Sequence, residues 1–454
     1  MTWTTTRLKH LARVGYGLSR PPALSHTGIP ILRATNIMRG KFTADGLIFA
    51  VRETLPLDRA PLLREGEILV VRSGAYTGDS AMVTSTWAGS APGYDLRVSP
   101  MSAHPAYIAY CLLSTIALDQ IDLARNRAAQ PHLNAEDLGD VILRVPPADE
   151  QRRIAGYLDA ETARMDVLLA ATDRQIEVLD GRRLAAFRAM TTGIAEHAPL
   201  ATAGIRAMPL MRGDWKLFKV GRSFKTGSGT TPRSSEPRFF GGPYPWINTR
   251  DLRDGLIQDP ARSVSPAALQ EYPALRVYPS GTLMVAMYGA TIGRAGISMT
   301  PACVNQACCA LIPLGPVDVT YAFYWFVAHR AEIVQLGSGG GQPNISQDLV
   351  RSLRIPAPDS VAEQRKIGRD CDAREEENAS YRSRLSRRSA LLAERRQALI
   401  TAAVTGQIDV TTARPWLCPG EVVIHPGALA HGSDLPPGCA WRLLASGRWS
   451  TPAT

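Results

Sequence analysis

Leu143-Arg-Val-Pro146 running into Glu150-Gln-Arg-Arg-Ile154 is answered, roughly 213 residues later, by Leu353-Arg-Ile-Pro356 running into Glu363-Gln-Arg-Lys-Ile367. The flanks repeat as well. Upstream, Pro30-Ile-Leu-Arg-Ala-Thr-Asn-Ile37 aligns with Pro245-Trp-Ile-Asn-Thr-Arg-Asp-Leu252, and Gly66-Glu-Ile-Leu-Val70 with Gly281-Thr-Leu-Met-Val285. Gly74 keeps register with Gly289, and Gly78 with Gly293. Downstream, Gln130-Pro-His-Leu-Asn134 faces Gln342-Pro-Asn-Ile-Ser346, and Thr192-Gly193 faces Thr405-Gly406. The offset drifts by only a few residues, so the two halves are one architecture with small loop insertions.

Each half reads as a mixed globular part followed by a long helix. Glu67–Arg72 and Gly281–Tyr288 are short β-rich runs beside glycine turns. Pro105–Arg125, and the stretch opened by Tyr321 and Tyr324, have helical periodicity. The segments Glu150–Thr191 and Glu363–Ala403 contain no proline, so each can run about 60 Å at roughly 1.5 Å per residue. Ser360-Val-Ala-Glu363 has the form of a capping box, and Gly193 and Gly406 stand where helices stop. Alternating steps of four and three predict seams through Ile154, Leu158, Glu161, Met165, Leu168, Thr172 and Gln175, and through Ile367, Cys371, Arg374, Asn378, Tyr381, Leu385 and Arg388. Two such helices in one chain predict an intramolecular antiparallel pair. The fold expected is α+β: two globular domains related by an internal repeat and joined by two long antiparallel coiled-coil helices.

The chain has 454 residues, enough for more than one core, and its 45% apolar and 20% charged content is that of folded protein. Net charge is +10, carried almost wholly by arginine since there are six lysines, which suits a polyanionic partner. Seven cysteines include no C-x-x-C pair, and Cys303, Cys308 and Cys309 sit in an apolar stretch, so buried thiols are expected there and no metal. No run approaches the roughly 18 apolar residues of a membrane span, and a cytoplasmic location is expected.

Catalytic signatures are missing. The one Gly-Lys pair, Gly40-Lys41-Phe42, is no phosphate loop. Val145-Pro-Pro147 and Leu435-Pro-Pro437 lack the acidic or amide residue and the aromatic that amino-methyl transfer needs. Asp214-Trp-Lys216 has no upstream carboxylate for a metal-dependent nuclease, and the eight histidines show no ligand spacing. What remains is a basic, two-headed, non-catalytic scaffold.

Glu-Gln-x-x-Ile after a proline, then a long helix ending in Thr-Gly, all stated twice, resembles the specificity subunit of type I restriction-modification systems across about residues 1 to 407. The resemblance implies target-recognition domains at 1–145 and 194–356, a central conserved helical region at 146–193, a distal one at 357–407, and an extension at 408–454 without counterpart. It further implies double-stranded DNA as ligand, each domain reading half of a split asymmetric target. The implied partners are modification (methyltransferase) subunits and a restriction (translocase/nuclease) subunit. Those partners use S-adenosylmethionine, ATP and magnesium; this chain holds no cofactor. A coiled-coil scaffold that organises partners without reading sequence is the alternative.

Recurring polar loop positions are the candidate DNA contacts. The first loop carries Arg33, Thr35 and Asn36, matched by Asn248, Arg250 and Asp251. The second carries Arg72, Ser73 and Tyr76, matched by Tyr288 and Thr291. The third carries Arg125, Arg127 and Gln130, opposite a glycine-rich stretch reaching Gln342 and Asn344.

Overall fold

The computed structural model describes residues 3–125, 132–194, 199–205, 208–337, 344–410, 442–443 and 449–450. The chain divides into two compact units, Met1–Thr172 with Arg387–Thr454, and Asp173–Ser386.

In the first unit, strand Thr4–Arg7 pairs antiparallel with Ile142–Val145, the strand that feeds the first long helix. Beside it lies an antiparallel sheet in the order Ala12–Tyr16, Leu96–Pro100, Ile68–Val70, Ser80–Met82. A second sheet joins Ala91–Pro92, Ile29–Leu32, Ile48–Ala50 and Leu24–Ser25. In the second unit the same pieces recur: Lys216–Lys219 with Arg354–Ala357, then Phe224–Gly227, Cys308–Pro313, Leu283–Ala286 and Ala295–Ser298. Here the sheet gains a fifth strand, Gly255–Ile257, parallel to Ala295–Ser298. The first unit has only an isolated parallel bridge, Gly40 to Ala81, at the matching place. Among the described residues, the second unit alone carries the added hairpin Leu200–Ile205 with Met208–Arg212.

Each core forms round one apolar helix. Val319–Ala328 starts at Asp318, whose carboxylate accepts from Thr320 N at 3.0 Å and Tyr321 N at 3.2 Å, and every residue from Tyr321 to Ala328 is buried. Pro105 opens the first unit's counterpart, Pro105–Leu113. The single helix expected over Pro105–Arg125 is two, broken at Ser114 and bent by 65°. The Ser114 hydroxyl donates to Cys111 O at 2.6 Å and accepts from Ala117 N at 3.3 Å, closing one helix and starting the next.

The Glu-Gln motif owes its recurrence to the glutamine. Gln151 and Gln364 are 4% and 0% exposed. Gln151 Oε1 accepts from His104 N at 2.8 Å and its Nε2 donates to Pro146 O at 2.9 Å. Gln364 Oε1 accepts from Asp318 N at 2.8 Å and its Nε2 donates to Pro358 O at 2.9 Å. One amide thus fastens the first turn of a long helix to the start of the apolar helix. A tyrosine repeats as well: Tyr107 OH donates to Arg144 O at 2.8 Å and lies 3.2 Å from Val404 O, while Tyr321 OH lies 2.6 Å from Pro356 O and 2.9 Å from Thr191 O.

The long helices are Ala148–Thr192 and Val361–Val404, 45 and 44 residues, ending at Gly193 and Gly406 with φ of 71° and 70°. They pair antiparallel within each unit. In the second, Asp180 pairs with Arg382 at 2.8 Å, Arg183 with Glu375 at 2.9 Å, and Met190 meets Cys371. In the first, Asp166 faces Arg396. The order reverses along the two helices, as the sequence predicts. The seams differ from the expected ones after a few turns. Cys371, Asn378 and Leu385 face inward as expected, but Arg374, Tyr381 and Arg388 are exposed, with Glu375 and Ser389 turned inward in place of Arg374 and Arg388, because two successive steps of four follow Ile367. On the first helix Gln175 is exposed and Ile176 is partly covered. A straight 3.6-residue helix drifts off a strict 3.5 repeat, so the residues that face inward shift by one position along the helix. The stripe that remains is tightly buried: Ile154, Leu158 and Met165 are at most 1% exposed, and removing the Leu158 side chain costs about 2–5 kcal/mol.

Candidate nucleic-acid interface

The described parts of the loops lie together in each unit, on matching backbone hydrogen bonds. Gly78 N donates to Val71 O and Gly293 N to Ala286 O, both at 2.8 Å. Asp79 N donates to Tyr76 O at 2.9 Å and Arg294 N to Thr291 O at 3.0 Å, so the second loop is the same turn twice. Gly74 and Gly78, with φ of 88° and 95°, take the left-handed conformation that this turn requires. The third loop docks on the second through Leu133 N to Arg72 O and through Ile345 N to Met287 O, both 2.8 Å.

The first loop is held by a repeated side-chain cap. Asn36 Oδ1 accepts from Arg33 N at 3.2 Å, and Asp251 Oδ2 from Asn248 N at 2.9 Å. Asn36 also donates to Thr43 O and Asp45 O at 3.1 and 3.0 Å, and it is fully buried. The expectation that Asn36 reaches DNA is therefore corrected. Its amide is consumed in shaping the loop, and exposed Thr35 stands at the tip. Arg33 is turned inward too, donating to Gly46 O at 2.7 Å. Asn248 is half-buried, with Oδ1 accepting from Arg250 N at 2.9 Å, and this leaves Arg250 as the exposed member of the pair.

In the second loop Ser73 and Tyr76 are exposed, Tyr76 by 61%. The Arg72 guanidinium lies 5.2 Å from the Tyr16 ring centroid, a cation–π contact that orients it. In the second unit Tyr288 is partly buried, which pushes its hydroxyl pKa up, and Thr291 Oγ1 is buried with no hydrogen-bond partner among the described residues. In the third loop, Arg125 pairs with Asp122 at 3.0 Å and Asn344 is exposed. Arg127, Gln130 and Gln342 lie outside the described residues.

One positioning residue escaped sequence reasoning. Asp95, 4% exposed, accepts backbone N–H bonds from Arg72, at 3.2 Å, and from Ala34, joining the first and second loops. Burial raises its pKa, and those two N–H groups oppose the rise. At the matching place of the second unit backbone serves instead, with Met287 N donating to Ala307 O at 2.8 Å. A role met by a carboxylate in one copy and a carbonyl in the other leaves no repeated letter to find.

Among the described residues no three His, Cys, Asp or Glu side chains converge to hold a metal ion. Cys111, Cys309 and Cys371 are buried, and burial pushes each thiol up to about 12, so they stay protonated packing groups. No single helix among the described residues is long and apolar enough to cross a membrane.

Twin domains of one fold, each carrying polar loops on the same backbone turns and fastened to long paired helices, define a class of internally duplicated α+β proteins. Residues 2–177 and 212–373 match the family described as type I restriction modification DNA specificity domain, and the chain belongs to that family. Two relatives come from Methanocaldococcus jannaschii. The type I restriction enzyme MjaIX specificity subunit is 30% identical over 159 residues, 34% of this chain and 36% of its own. The putative type I restriction enzyme MjaX specificity subunit is 24% identical over 279 residues, 60% of this chain and 62% of its own. The matched stretches thus span less than two thirds of those relatives. A solved structure, titled as the structural basis underlying complex assembly and conformational transition of the type I R-M system, superposes with a TM-score of 0.65. It covers 89% of this chain and 98% of that one at 18% identity, a likeness of fold.

Proposed function

We propose that this chain is the sequence-reading subunit of a type I restriction-modification complex, binding a bipartite, asymmetric duplex target and directing partner modification and restriction subunits to it. The observation that carries this is the pair of loop rims: one backbone scaffold stated twice, with different side chains at its tips. Thr35, Ser73 and Tyr76 on one rim answer Arg250 and Asn344 on the other, so the two half-sites differ while the geometry of reading is shared. The arginine-borne charge of +10 supplies the sequence-independent attraction to phosphates. S-adenosylmethionine, ATP and magnesium belong to the partners in this reading, and the complex works in the cytoplasm.

The test is binding of the chain, assembled with its modification subunits, to a library of randomised duplexes at several salt concentrations. Enrichment of one split sequence above about 1000-fold over bulk duplex is expected. Equal affinity for all duplexes, with only a salt slope, would show a scaffold that does not read sequence.

A further inference from the structure

In the second unit one guanidinium bridges the second loop and the segment just past the first. Arg330 opens the helix Arg330–Gln335, which leads toward the third loop and Asn344. Its Nε donates to Gly293 O at 3.2 Å, in the second loop. Its other end pairs with Asp254, just past the first loop, where the side chains are 30% and 14% exposed. Asp254 is itself pinned. Its φ is 61°, its N–H donates to Ala295 O at 2.9 Å, and its carboxylate accepts from Ala295 N at 3.1 Å. The guanidinium stem packs so closely that a Cβ on Gly293 would come within 2.8 Å of Arg330 Cγ.

The first unit backs the same turn with different residues. A Cβ on Gly78 would meet Ile121 at 3.2 Å and Leu118 at 3.6 Å, so that turn is backed by hydrocarbon. Arg39, with φ of 39°, stands where the second unit has Asp254, and its charge acts on Asp79 in the turn. The pairing of Arg330 with Asp254 is therefore particular to the second unit.

We infer that Arg330 and Asp254 set the spacing of the first and second loops of the second unit, which makes Arg330 a positioning residue for the half-site that this unit reads. This rests on the reading of the loops as DNA contacts. Base-edge hydrogen bonds weaken steeply when misaligned, so loosening the loops degrades discrimination before it degrades affinity. Phosphate contacts tolerate such movement better, because a charge acts over a longer range.

The experiment uses the full chain in complex with its modification subunits and compares Arg330→Gln, Arg330→Lys, Asp254→Asn and the double variant Arg330→Gln with Asp254→Asn. Base preference at every target position is read from randomised duplexes, and thermal melting of each complex is followed alongside. Arg250→Ala and Asn344→Ala, both at exposed positions, serve as controls that identify the second unit's half-site. Arg330→Gln and Asp254→Asn should each relax discrimination at that half-site by about tenfold, with the double variant no worse than either single one. Arg330→Lys should restore much of it, and the other half-site should keep its preferences. Equal relaxation of both half-sites, in step with lowered melting, would mark a merely structural pair and overturn the proposal. If the controls alter the half-site and Arg330→Gln does not, the clamp alone fails. If the controls alter nothing, the loop reading fails and the clamp falls with it.

Discussion

Gln364 is a residue whose whole amide is spent. Replacing it with alanine leaves Asp318 N and the carbonyls of Pro316 and Pro358 without their partner in a buried place. Unfolding of the second unit, followed by urea titration, should lose about 1–3 kcal/mol, as an unpaired buried polar group dictates. His329 gives a pH dependence. It is 2% exposed, and burial, opposed by a contact with Trp325 O at 3.0 Å, pulls its pKa from 6.5 down to about 4. Below 6.5 the unfolded chain takes up a proton that the folded unit refuses. Stability is therefore intact above that pH and drains away as pH falls toward 4. Between pH 7.5 and pH 5 the loss attributable to this group is about 2 kcal/mol. His329→Phe should remove that part of the acid sensitivity, measured as the difference in urea midpoints; an unchanged pH profile would mean the ring is already protonated when folded.

Elements were legible to different degrees. The long helices could be read to within a few residues of their ends, because absence of proline, a serine cap and a terminal glycine are local signals. Their seams could not. Whether Arg374 or Glu375 faces a partner depends on one extra step that only packing decides, and Arg374 is exposed. The loops show the same divide. Their positions were legible from the repeat, yet the job of each polar letter was not: Asn36 is an internal brace, as is Asp251 at the matching place. The ion pairs across the helices are partly exposed, so reversing Arg382 to glutamate should lower stability by about 0.2–1 kcal/mol. Phe187→Ala should cost about 3–5 kcal/mol, since Phe187 is fully buried against Tyr324, with ring centroids 4.7 Å apart. Differential scanning of both variants separates a register device from a packing anchor; a larger loss for Arg382→Glu would reverse that assignment.

At the scale of the molecule, each long helix begins in one compact unit and ends in the other. On the proposed reading, inserting four residues into one of them should alter the spacer between half-sites by about one or two base pairs, at ~1.5 Å per residue against ~3.4 Å per base pair. Methylation mapping reads the spacer directly, and an unchanged spacer would exclude the helices as the ruler. Modularity was the most legible property of all, because duplication preserves the bracing residues Gln151, Gln364, Tyr107 and Tyr321 while the tips diverge. The most direct measurement is an exchange of residues 208–355 for the equivalent part of another family member, followed by sequencing of the methylated target. One half of the recognised sequence should change and the other should remain. A target altered in both halves, or in neither, would contradict the claim that the two rims read DNA independently.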